Sequence, residues 1–386
     1  MAGDPLAPHQ GPVMGRSLMV ASAHAAASET GLSVMRSGGN AVDAAVAISF
    51  LLCVLKPARC ALGGDLFYLV YSAADGTITA INGSGVAPRT ATLDAYADGI
   101  PARGIRSAAV PGFVDGVLTA HRLFATRPLA ELVEPAIAFA REGFPVSLRL
   151  ASLIAEFEPA LRAHAATAAV FLPGSRVPAL GEVLRQPDLA RTLEAIRDGG
   201  AAAFYRDGFA RALITLSDGL GGHFHAEDLT EHATEVREPI SVQYRGHTVY
   251  GQPPVSQGHI LLEELGILDG FDLAGRAYDD PQRIHLMLEA KKLAFADMRR
   301  YAGDPRRSSF TVERLLAPEF LAQRRAAIDP ERASAAPAPG RLEAAVHDTT
   351  SFAVVDGQGN AVAAIQSVFQ PWGSGIVVDG TGVLLN

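Results

Sequence analysis

The sequence predicts a layered α+β fold, because strand patterns and helix patterns come in separate runs along the chain. Residues 348–356 (DTTSFAVVD) and 360–366 (NAVAAIQ) flank the turn residues 357–359 and have the alternating apolar positions of a β-hairpin. Residues 41–55 are apolar almost all round, which indicates a central buried helix. Since strict strand–helix–strand alternation is missing, we do not expect a doubly wound parallel sheet.

The N-terminal part predicts two helices and a hairpin. In chain order the elements are a strand at 18–21, a helix at 24–37, the buried helix at 41–55, and a hairpin with strands at 65–71 and 77–82. Gly38-Gly39 suits the left-handed end of the first helix, and Asn40 with Asp43 suits the start of the second. Gly63-Gly64 predicts a close backbone approach just before the hairpin.

The remainder of the chain before the C-terminal hairpin predicts mainly helices. The elements are helices within 107–160 and at 185–216, strands within 241–250, and helices at 258–270 and 281–302. Residues 328–347 are rich in Ala, Pro, Glu and Arg and have no apolar period, so we expect an exposed, flexible linker there. His223 and His225 form a His-x-His pair without a third ligand at a fixed spacing, so no metal site is expected.

The composition excludes several classes of protein. With 386 residues, 48% of them hydrophobic, the chain can build a large core, and its net charge of −8 argues against nucleic acid or an anionic membrane as a partner. Two cysteines and no phosphate-binding glycine motif predict neither disulfides nor zinc nor any cofactor. We expect a cytoplasmic protein, because residues 1–17 have no signal-peptide core and no apolar run reaches the roughly 20 residues of a membrane span.

A chemical hypothesis concerns Thr349, the first threonine of the C-terminal hairpin. A threonine pair in a strand ordinarily reflects β-propensity alone. A threonine hydroxyl becomes a useful nucleophile when a base lies beside it, and the α-amino group of the same residue, which titrates near about 7.7–8.0, can be that base. An internal threonine gains this amine only if the preceding peptide bond is cut. We therefore hypothesise cleavage between Asp348 and Thr349, with Thr349 as both nucleophile and base.

Short motifs occur along almost the whole chain. They are 38–45 (GGNAVDAA), 62–64 (LGG), 87–88 (AP), 111–112 (PG), 296–297 (AD), 303–305 (GDP), 349–362, 373–376 (GSGI) and 382–386 (GVLLN). Together and in this order they resemble the gamma-glutamyltranspeptidase family. The resemblance implies an αββα sandwich, the N-terminal-nucleophile hydrolase fold, made as a proenzyme that cuts itself. It places the cut before Thr349, between a large-subunit region at 1–348 and a small-subunit region at 349–386.

By position, the resemblance implies roles for three further residues. Ser367 replaces the family's second threonine, which supports the nucleophile, and it keeps the hydroxyl. Ser84 stands where the family has the arginine that binds the substrate carboxylate, and a hydroxyl cannot replace a bidentate guanidinium. Phe369 replaces a substrate-contacting asparagine and makes the site more apolar. The resemblance also implies that the large and small pieces stay associated after cleavage.

The family's small subunit is longer than the segment after Thr349 in this sequence. In the family it carries a serine pair and a glycine pair that bind substrate and form the oxyanion hole. We therefore expect a sandwich that is truncated at the C-terminus. On this expectation residues 1–386 alone are uncleaved and inactive, because each missing oxyanion donor costs ~2.7–4 kcal/mol. They also associate through open strand edges.

Three interpretations of the function stay open at this point. The leading one is an amide hydrolase or acyltransferase of the family's acylase-like branch, similar to cephalosporin acylases, that prefers aliphatic or glutaryl-type acyl groups to γ-glutamyl. The alternative enzyme is a genuine glutathione hydrolase or γ-glutamyl transferase, whose substrate carboxylate is bound by another cation such as Arg59 or Arg103. Either enzyme takes a small-molecule amide or γ-glutamyl substrate. The third interpretation is a non-catalytic or fragmentary family member.

Overall fold

The molecule is built around a central antiparallel sheet with helices against one face. The structure, a computed structural model, describes residues 13–306, 311–335 and 349–386, with Thr349 described by its backbone. The strands are β1 (Met19–Ala21), β2 (Asp65–Tyr71), β3 (Ile78–Gly83), β4 (Phe144–Pro145), β5 (Val183–Leu184), β6 (Glu235–Arg237), β7 (Ile240–Tyr244), β8 (His247–Gly251), β9 (Thr349–Val355), β10 (Ala361–Ser367), β11 (Val377–Val378) and β12 (Val383–Leu384).

Most helices occupy segments where the sequence predicts them, but the helices Ala165–Phe171 and Pro318–Ala326 were not predicted. The helices are α1 (Ala25–Arg36), α2 (Ala41–Leu55), α3 (Phe113–Phe124), α4 (Leu129–Glu142), α5 (Leu148–Glu156), α6 (Glu158–Arg162), α7 (Ala165–Phe171), α8 (Pro187–Tyr205), α9 (Gly208–Leu220), α10 (Ala226–Thr230), α11 (Gly258–Leu268), α12 (Pro281–Tyr301) and α13 (Pro318–Ala326). Among these described helices, none combines the length and the apolar character that crossing a membrane requires.

The central sheet contains β1, β9, β10, β2, β3 and β6 in that spatial order, and neighbouring strands run antiparallel. The two predicted hairpins are β2–β3 and β9–β10. The strand pair predicted within 241–250 forms a separate two-stranded sheet, β7–β8. Because strands and helices stay in separate runs and the sheet is antiparallel, the α+β prediction is confirmed.

Helix α2 is the buried centre of the molecule, and all 15 of its residues are buried. Its predicted N-terminal cap is confirmed, since the Asn40 side chain accepts hydrogen bonds from the first turn and the Asn40 backbone N donates to Asp43 Oδ2 at 2.8 Å. Asp356, in the β9–β10 turn, accepts a hydrogen bond from the Ala41 backbone N at 3.0 Å. The start of α2 is therefore tied to the C-terminal hairpin.

The two faces of the central sheet differ in burial. On the face toward α2, alternate residues of β2 and β10 are buried, including Tyr68 and Val362. On the other face, Val355, Ile365 and Tyr71 have exposed fractions of 41%, 47% and 37%. A shift of one residue in strand register would exchange the two sets, so burial of the first set fixes the register.

A second, smaller core lies among α11, α12, α13 and β7. Ile328, the first residue of the predicted linker, is buried in this core. Residues 329–335 follow it, and 336–347 lie outside the described residues. The carbonyls of Asp329 and Ser334 accept hydrogen bonds from His285 Nε2 at 2.9 Å and Lys292 Nζ at 2.7 Å on α12, so the first part of the predicted linker contacts this helix. The flexibility of the rest stays a prediction.

Two carboxyl groups share a buried site beside this second core. Glu263 on α11 is fully buried, and Asp297 on α12 is 1% exposed at its side chain. The Arg324 Nε lies 2.6 Å from Asp297 Oδ2, which makes Asp297 the ionised partner. Burial and then the hydrogen bond to Asp297 raise the pKa of Glu263 to about 9, so Glu263 is protonated at neutral pH.

Glu263→Gln is expected to raise stability at alkaline pH. Between the ordinary Glu pKa of 4.5 and the folded value of about 9, folding requires Glu263 to take up a proton, so stability falls as pH rises through this window. A glutamine side chain is neutral at every pH, so its burial beside Asp297 requires no proton uptake. We expect equal melting temperatures near pH 5 and a gain of roughly 1–3 kcal/mol at pH 8. Thermal unfolding across pH measures this, with exposed Glu319→Gln as a control that shows no such gain.

Candidate active site

Three neighbouring strands of the central sheet place Thr349, Ser367 and Asp65 in one row. Thr349 pairs with Ser367 across β9 and β10, and Ser367 pairs with Asp65 across β10 and β2. Directly opposite residues of antiparallel strands have Cβ atoms about 4.5–5.5 Å apart. Since the row contains the first residue of β9, the last of β10 and the first of β2, it lies at one end of the sheet.

Thr349 is the first residue of β9. Asp348, the other residue of the predicted cleavage site, lies outside the described residues, so cleavage there stays a prediction. The next residue, Thr350, is 4% exposed, and its hydroxyl has no hydrogen-bond partner within the described part of the chain. Of the two threonines, Thr350 thus belongs to the core, and Thr349 stands at the strand end.

Ser367 ends β10 and begins the turn that carries Phe369. The Phe369 backbone N donates a hydrogen bond to the Ser367 hydroxyl at 2.8 Å. Phe369 has a φ of +73°, and 52% of its surface is exposed. Trp372 anchors this turn, because its ring is fully buried and its Nε1 donates to the Leu153 carbonyl at 3.2 Å. The anchored turn holds the Phe369 ring at the end of the sheet.

A cavity of about 520 Å³ opens at this end of the sheet, and we call it the Asp65 cavity. It is lined by Asp65, Ile100, Pro101, Ala102, Ser107, Ala109, Val368, Phe369, Gln370, Gly373 and Asn386. Within this described lining, Asp65 is the one ionisable side chain. The cavity therefore combines an apolar wall at Phe369 with one ionisable side chain.

Two hydrogen bonds hold the Asp65 carboxyl group. Its Oδ1 accepts one from the Gly85 backbone N at 3.1 Å and one from the Asn386 side-chain amide at 3.5 Å. Burial raises the pKa of Asp65 to about 6, although these two hydrogen bonds favour the ionised form. Asp65 therefore changes its charge close to physiological pH.

Ser84 lies in a different cavity, of about 330 Å³, which we call the His232 cavity. It is lined by Asn82, Ser84, Gly85, Val86, Glu231, His232, Ala233, Thr234, Glu235, Val255, Asp304, Pro305 and Arg306. The Ser84 hydroxyl donates to Asn82 Oδ1 at 2.6 Å. The His232 Nε2 is buried and has no hydrogen-bond partner among the described residues. Burial lowers the pKa of His232, so its ring is neutral at pH 7.

The structure thus separates the two predicted substrate-binding residues. Phe369 lines the Asp65 cavity and Ser84 lines the His232 cavity, and Gly85 lies between them. Sequence reasoning missed Asp65 and His232. The sequence signal for Asp65 is a charged residue that opens a buried strand directly after a glycine pair. His232 carries no such local signal, because long-range packing brings it to Ser84.

The two arginines considered as alternative carboxylate ligands line neither cavity. The Arg103 guanidinium donates to two backbone carbonyls that follow Phe369, each at 3.0 Å, so it stabilises the turn. Arg59 lies on the same side, where its carbonyl accepts a hydrogen bond from the backbone directly before Phe369 at 3.1 Å. A third arginine, Arg306, does line the His232 cavity and makes a salt bridge of 2.8 Å to Asp304.

The His-x-His pair has structural contacts. The His225 backbone N donates to Asp228 Oδ2 at 2.8 Å and so begins α10. The His223 ring packs on Tyr96, with ring centroids 5.5 Å apart. Over the described ranges, no cluster of three His, Cys, Asp or Glu side chains has the geometry to hold a metal ion.

Two glycines allow backbone segments to approach closely at the site. A Cβ atom on Gly64 would lie 2.3 Å from the Ser367 carbonyl oxygen, and one on Gly85 would lie 1.5 Å from the Val110 carbonyl oxygen. Real Cβ atoms do not come so close to backbone, so both positions require glycine. The close approach predicted at Gly63-Gly64 is confirmed.

Known proteins resemble this chain along most of its length. The family model for gamma-glutamyltranspeptidase matches residues 27–386. The chain is 35% identical to the glutathione hydrolase proenzyme of Bacillus subtilis (strain 168), over 97% of this chain and 68% of that protein. It is 35% identical to the acylase ACY 1 proenzyme of Pseudomonas sp. (strain SE83), over 97% of this chain and 69% of that protein. It superposes on the crystal structure of cephalosporin acylase from Bacillus halodurans with a TM-score of 0.88 and 35% identity, over 98% of this chain and 72% of that one.

Proposed function

This chain belongs to the gamma-glutamyltranspeptidase family and has the N-terminal-nucleophile hydrolase fold of its solved relatives, and we propose that it cleaves small-molecule amides through an acyl ester on Thr349. The observation that supports this proposal is the position of Thr349 in the strand register. Its backbone pairs with Ser367, and the residues that follow Ser367 line the Asp65 cavity. A nucleophile there lies beside a space whose volume suits a small ligand.

The proposed reaction begins with attack of the Thr349 hydroxyl on the carbonyl of Asp348, which breaks the peptide bond, frees the α-amino group and leaves an ester. Water hydrolyses this ester, which restores the Thr349 hydroxyl and leaves Asp348 with a terminal carboxylate. The new α-amino group of Thr349 takes the proton from the Thr349 hydroxyl, and the oxygen attacks the substrate carbonyl. The C–N bond of the substrate breaks, the amine leaves with the proton, and the acyl group stays as an ester on Thr349. Water then releases the acyl group as an acid, or a second amine takes it in a transfer. Ser367, adjacent in the register, supports the nucleophile.

The strand order supports continued association of the two pieces after cleavage. A cut before Thr349 leaves β9 and β10 on the small piece. In the sheet, β9 pairs with β1 and β10 pairs with β2, and both partners belong to the large piece. Since backbone hydrogen bonds across the sheet do not depend on the cut bond, we expect the pieces to stay together.

The lining of the two cavities supports an acylase-type substrate. Phe369 gives the Asp65 cavity apolar surface, worth up to about 1.5–3 kcal/mol if a hydrophobic acyl group covers it. No arginine is among the described residues that line this cavity, so the carboxylate of a γ-glutamyl group gains no bidentate partner there. We therefore propose a preference for uncharged acyl chains over γ-glutamyl.

One observation favours the alternative, a genuine glutathione hydrolase or γ-glutamyl transferase. Arg306 lines the His232 cavity together with Ser84, so a guanidinium is close to the position of the family's arginine. Its bidentate contacts with Asp304, at 2.9 and 2.8 Å, occupy the same fork that a substrate carboxylate would need. Because Arg306 is already paired with Asp304, we rank the glutathione hydrolase or γ-glutamyl transferase second.

Ser84→Arg is expected to shift the substrate preference toward γ-glutamyl. Ser84 lines the His232 cavity, but the backbone N of the next residue, Gly85, donates to Asp65 in the other cavity, so the longer arginine side chain is expected to extend toward the acyl group. A hydrogen bond to a charged group contributes roughly 1.5–3 kcal/mol, so a guanidinium that reaches the substrate changes the preference about 10- to 150-fold. The measurement is kcat/KM for pentanoyl and γ-glutamyl anilides with wild type and Ser84→Arg. Wild type should prefer the pentanoyl substrate.

The matched control is Ser241→Arg, which adds the same charge on β7, outside both cavities. It should leave the ratio of the two kcat/KM values unchanged. If wild type prefers the γ-glutamyl substrate and Ser84→Arg leaves that preference intact, position 84 does not face the acyl group and the acylase assignment fails.

A further inference from the structure

The Asp65 cavity contains a charge whose function the proposed reaction leaves unexplained. Asp65 is not needed to activate Thr349, because the two residues are separated by the whole of β10. Two strand spacings put them roughly 10 Å apart, which is too far for direct proton transfer. That distance is comparable to the length of a short acyl chain plus the length of one hydrogen bond at the end distant from Thr349. An acyl group held at Thr349 and directed along the row therefore ends at Asp65.

No other charge within the described lining compensates Asp65. The groups bonded to its carboxyl are the Gly85 backbone N and the Asn386 side-chain amide, and both are neutral. Tyr205 is a titratable group close enough to interact electrostatically with Asp65, and its hydroxyl donates to the Pro111 carbonyl at 2.8 Å. Burial raises the pKa of Tyr205, so it stays neutral. The Arg103 guanidinium lies beside this lining, where it donates to the carbonyls of Gly373 and Pro371 at 3.0 Å each and does not bind the Asp65 carboxyl.

We propose that Asp65 is a specificity-determining residue that selects acyl groups by charge at the end distant from the reacting carbonyl. It disfavours chains that end in a carboxylate and admits chains that end in a methyl, amide or ammonium group. This inference rests on the proposed function, since it assumes that the acyl group extends from Thr349 into the Asp65 cavity. It separates aliphatic from glutaryl-type acyl groups, which the sequence had grouped together.

Discrimination by Asp65 depends on pH in a defined direction. Burial raises the pKa of Asp65 to about 6, so the carboxyl is largely neutral at pH 5 and ionised at pH 8. At pH 5 it can donate a hydrogen bond to a substrate carboxylate. At pH 8 two like charges oppose each other in a partly desolvated cavity, which lowers affinity about tenfold or more. Rejection of anionic acyl chains therefore strengthens as pH rises through about 6.

Binding to full-length Thr349→Ala tests the inference without turnover. The two ligands are pentananilide and glutaric acid monoanilide, which match in chain length and differ in the terminal carboxylate. Calorimetry at pH 5 and pH 8 gives both dissociation constants. We expect the dissociation constant of glutaric acid monoanilide, divided by that of pentananilide, to rise about tenfold or more from pH 5 to pH 8. In Thr349→Ala/Asp65→Asn the ratio should be independent of pH.

The outcomes separate this inference from the proposed function. A ratio that does not change with pH in Thr349→Ala overturns the assignment of Asp65, and so does failure of both ligands to bind. If Asp65→Asn does not fold, the pH series on Thr349→Ala alone still decides. A merely structural Asp65, holding Gly85 and Asn386, would shift the melting temperature on substitution and leave the ratio unchanged. The proposed function fails on a different result, namely amide turnover that persists in Thr349→Ala.

Discussion

Thr349→Ala leaves the full-length protein uncut and without measurable amide turnover. The substitution removes the hydroxyl that attacks both the preceding peptide bond and the substrate carbonyl. Loss of a hydrolase nucleophile lowers kcat by on the order of 10⁶-fold. The fold is expected to persist, because Thr349 pairs with Ser367 through its backbone. Intact-mass measurement detects the cut, and release of aniline from an acyl anilide reports turnover.

Two further variants make this result specific to Thr349. Thr349→Ser keeps the hydroxyl and the α-amino group, so it should be cut and should retain turnover. Thr350→Val is the matched control, because it removes a buried hydroxyl that has no hydrogen-bond partner among the described residues and keeps the shape of the side chain. We expect normal cleavage in Thr350→Val. Cleavage of Thr349→Ala at the same bond would contradict the nucleophile assignment.

Gly64→Ala is expected to lower kcat/KM at least about 100-fold while the protein still folds. The new Cβ would lie 2.3 Å from the Ser367 carbonyl oxygen, so the end of β10 must move. Ser367 pairs with Thr349, and a displacement of about 1 Å at a catalytic group costs roughly 10²-fold in rate. Forced repacking costs typically 1–3 kcal/mol, which should appear as a lower melting temperature.

Gly219→Ala is the matched control for Gly64→Ala. Gly219 lies in the exposed last turn of α9, and a Cβ there meets no atom within 4 Å. Alanine should be neutral or stabilise by roughly 0.4–1 kcal/mol, with unchanged kcat/KM. If Gly64→Ala matched Gly219→Ala in activity, the close approach of Gly64 to Ser367 would not position the site.

Local signals in the sequence were sufficient for individual elements. The bounds of α2, Ala41–Leu55, match the prediction because the Asn40–Asp43 capping box and Pro57 are signals within a few residues of the helix ends. The β9–β10 hairpin follows from alternation around a short turn, and the structure extends its second strand to Ser367, which pairs with Thr349. The linker was predicted less well, since Ile328 is buried by contacts with distant helices.

The candidate site was predicted only in the part that lies on one hairpin. Thr349 was proposed from its place at the start of a strand, whereas Ser367 was assigned by position in a family, and the structure pairs the two across β9 and β10. Ser84 and Phe369 were assigned by position in a family, and no local pattern could show that they line different cavities. That separation results from the Asn82 hydrogen bond at Ser84 and from the left-handed turn at Phe369.

Periodicity and local motifs were enough to predict the α+β class, the buried helix α2 and the threonine at the start of a strand. The position of β10 between β9 and β2, which brings Asp65 into the row with Ser367 and Thr349, became known from the folded structure. Periodicity in a sequence reports which face of a strand is buried, and it carries no information on which distant strand becomes the neighbour. Both strands contact α2, β10 by packing and β2 through the Tyr68 hydroxyl, which donates to the Ala45 carbonyl at 3.0 Å, and these contacts join parts of the chain that are distant in sequence.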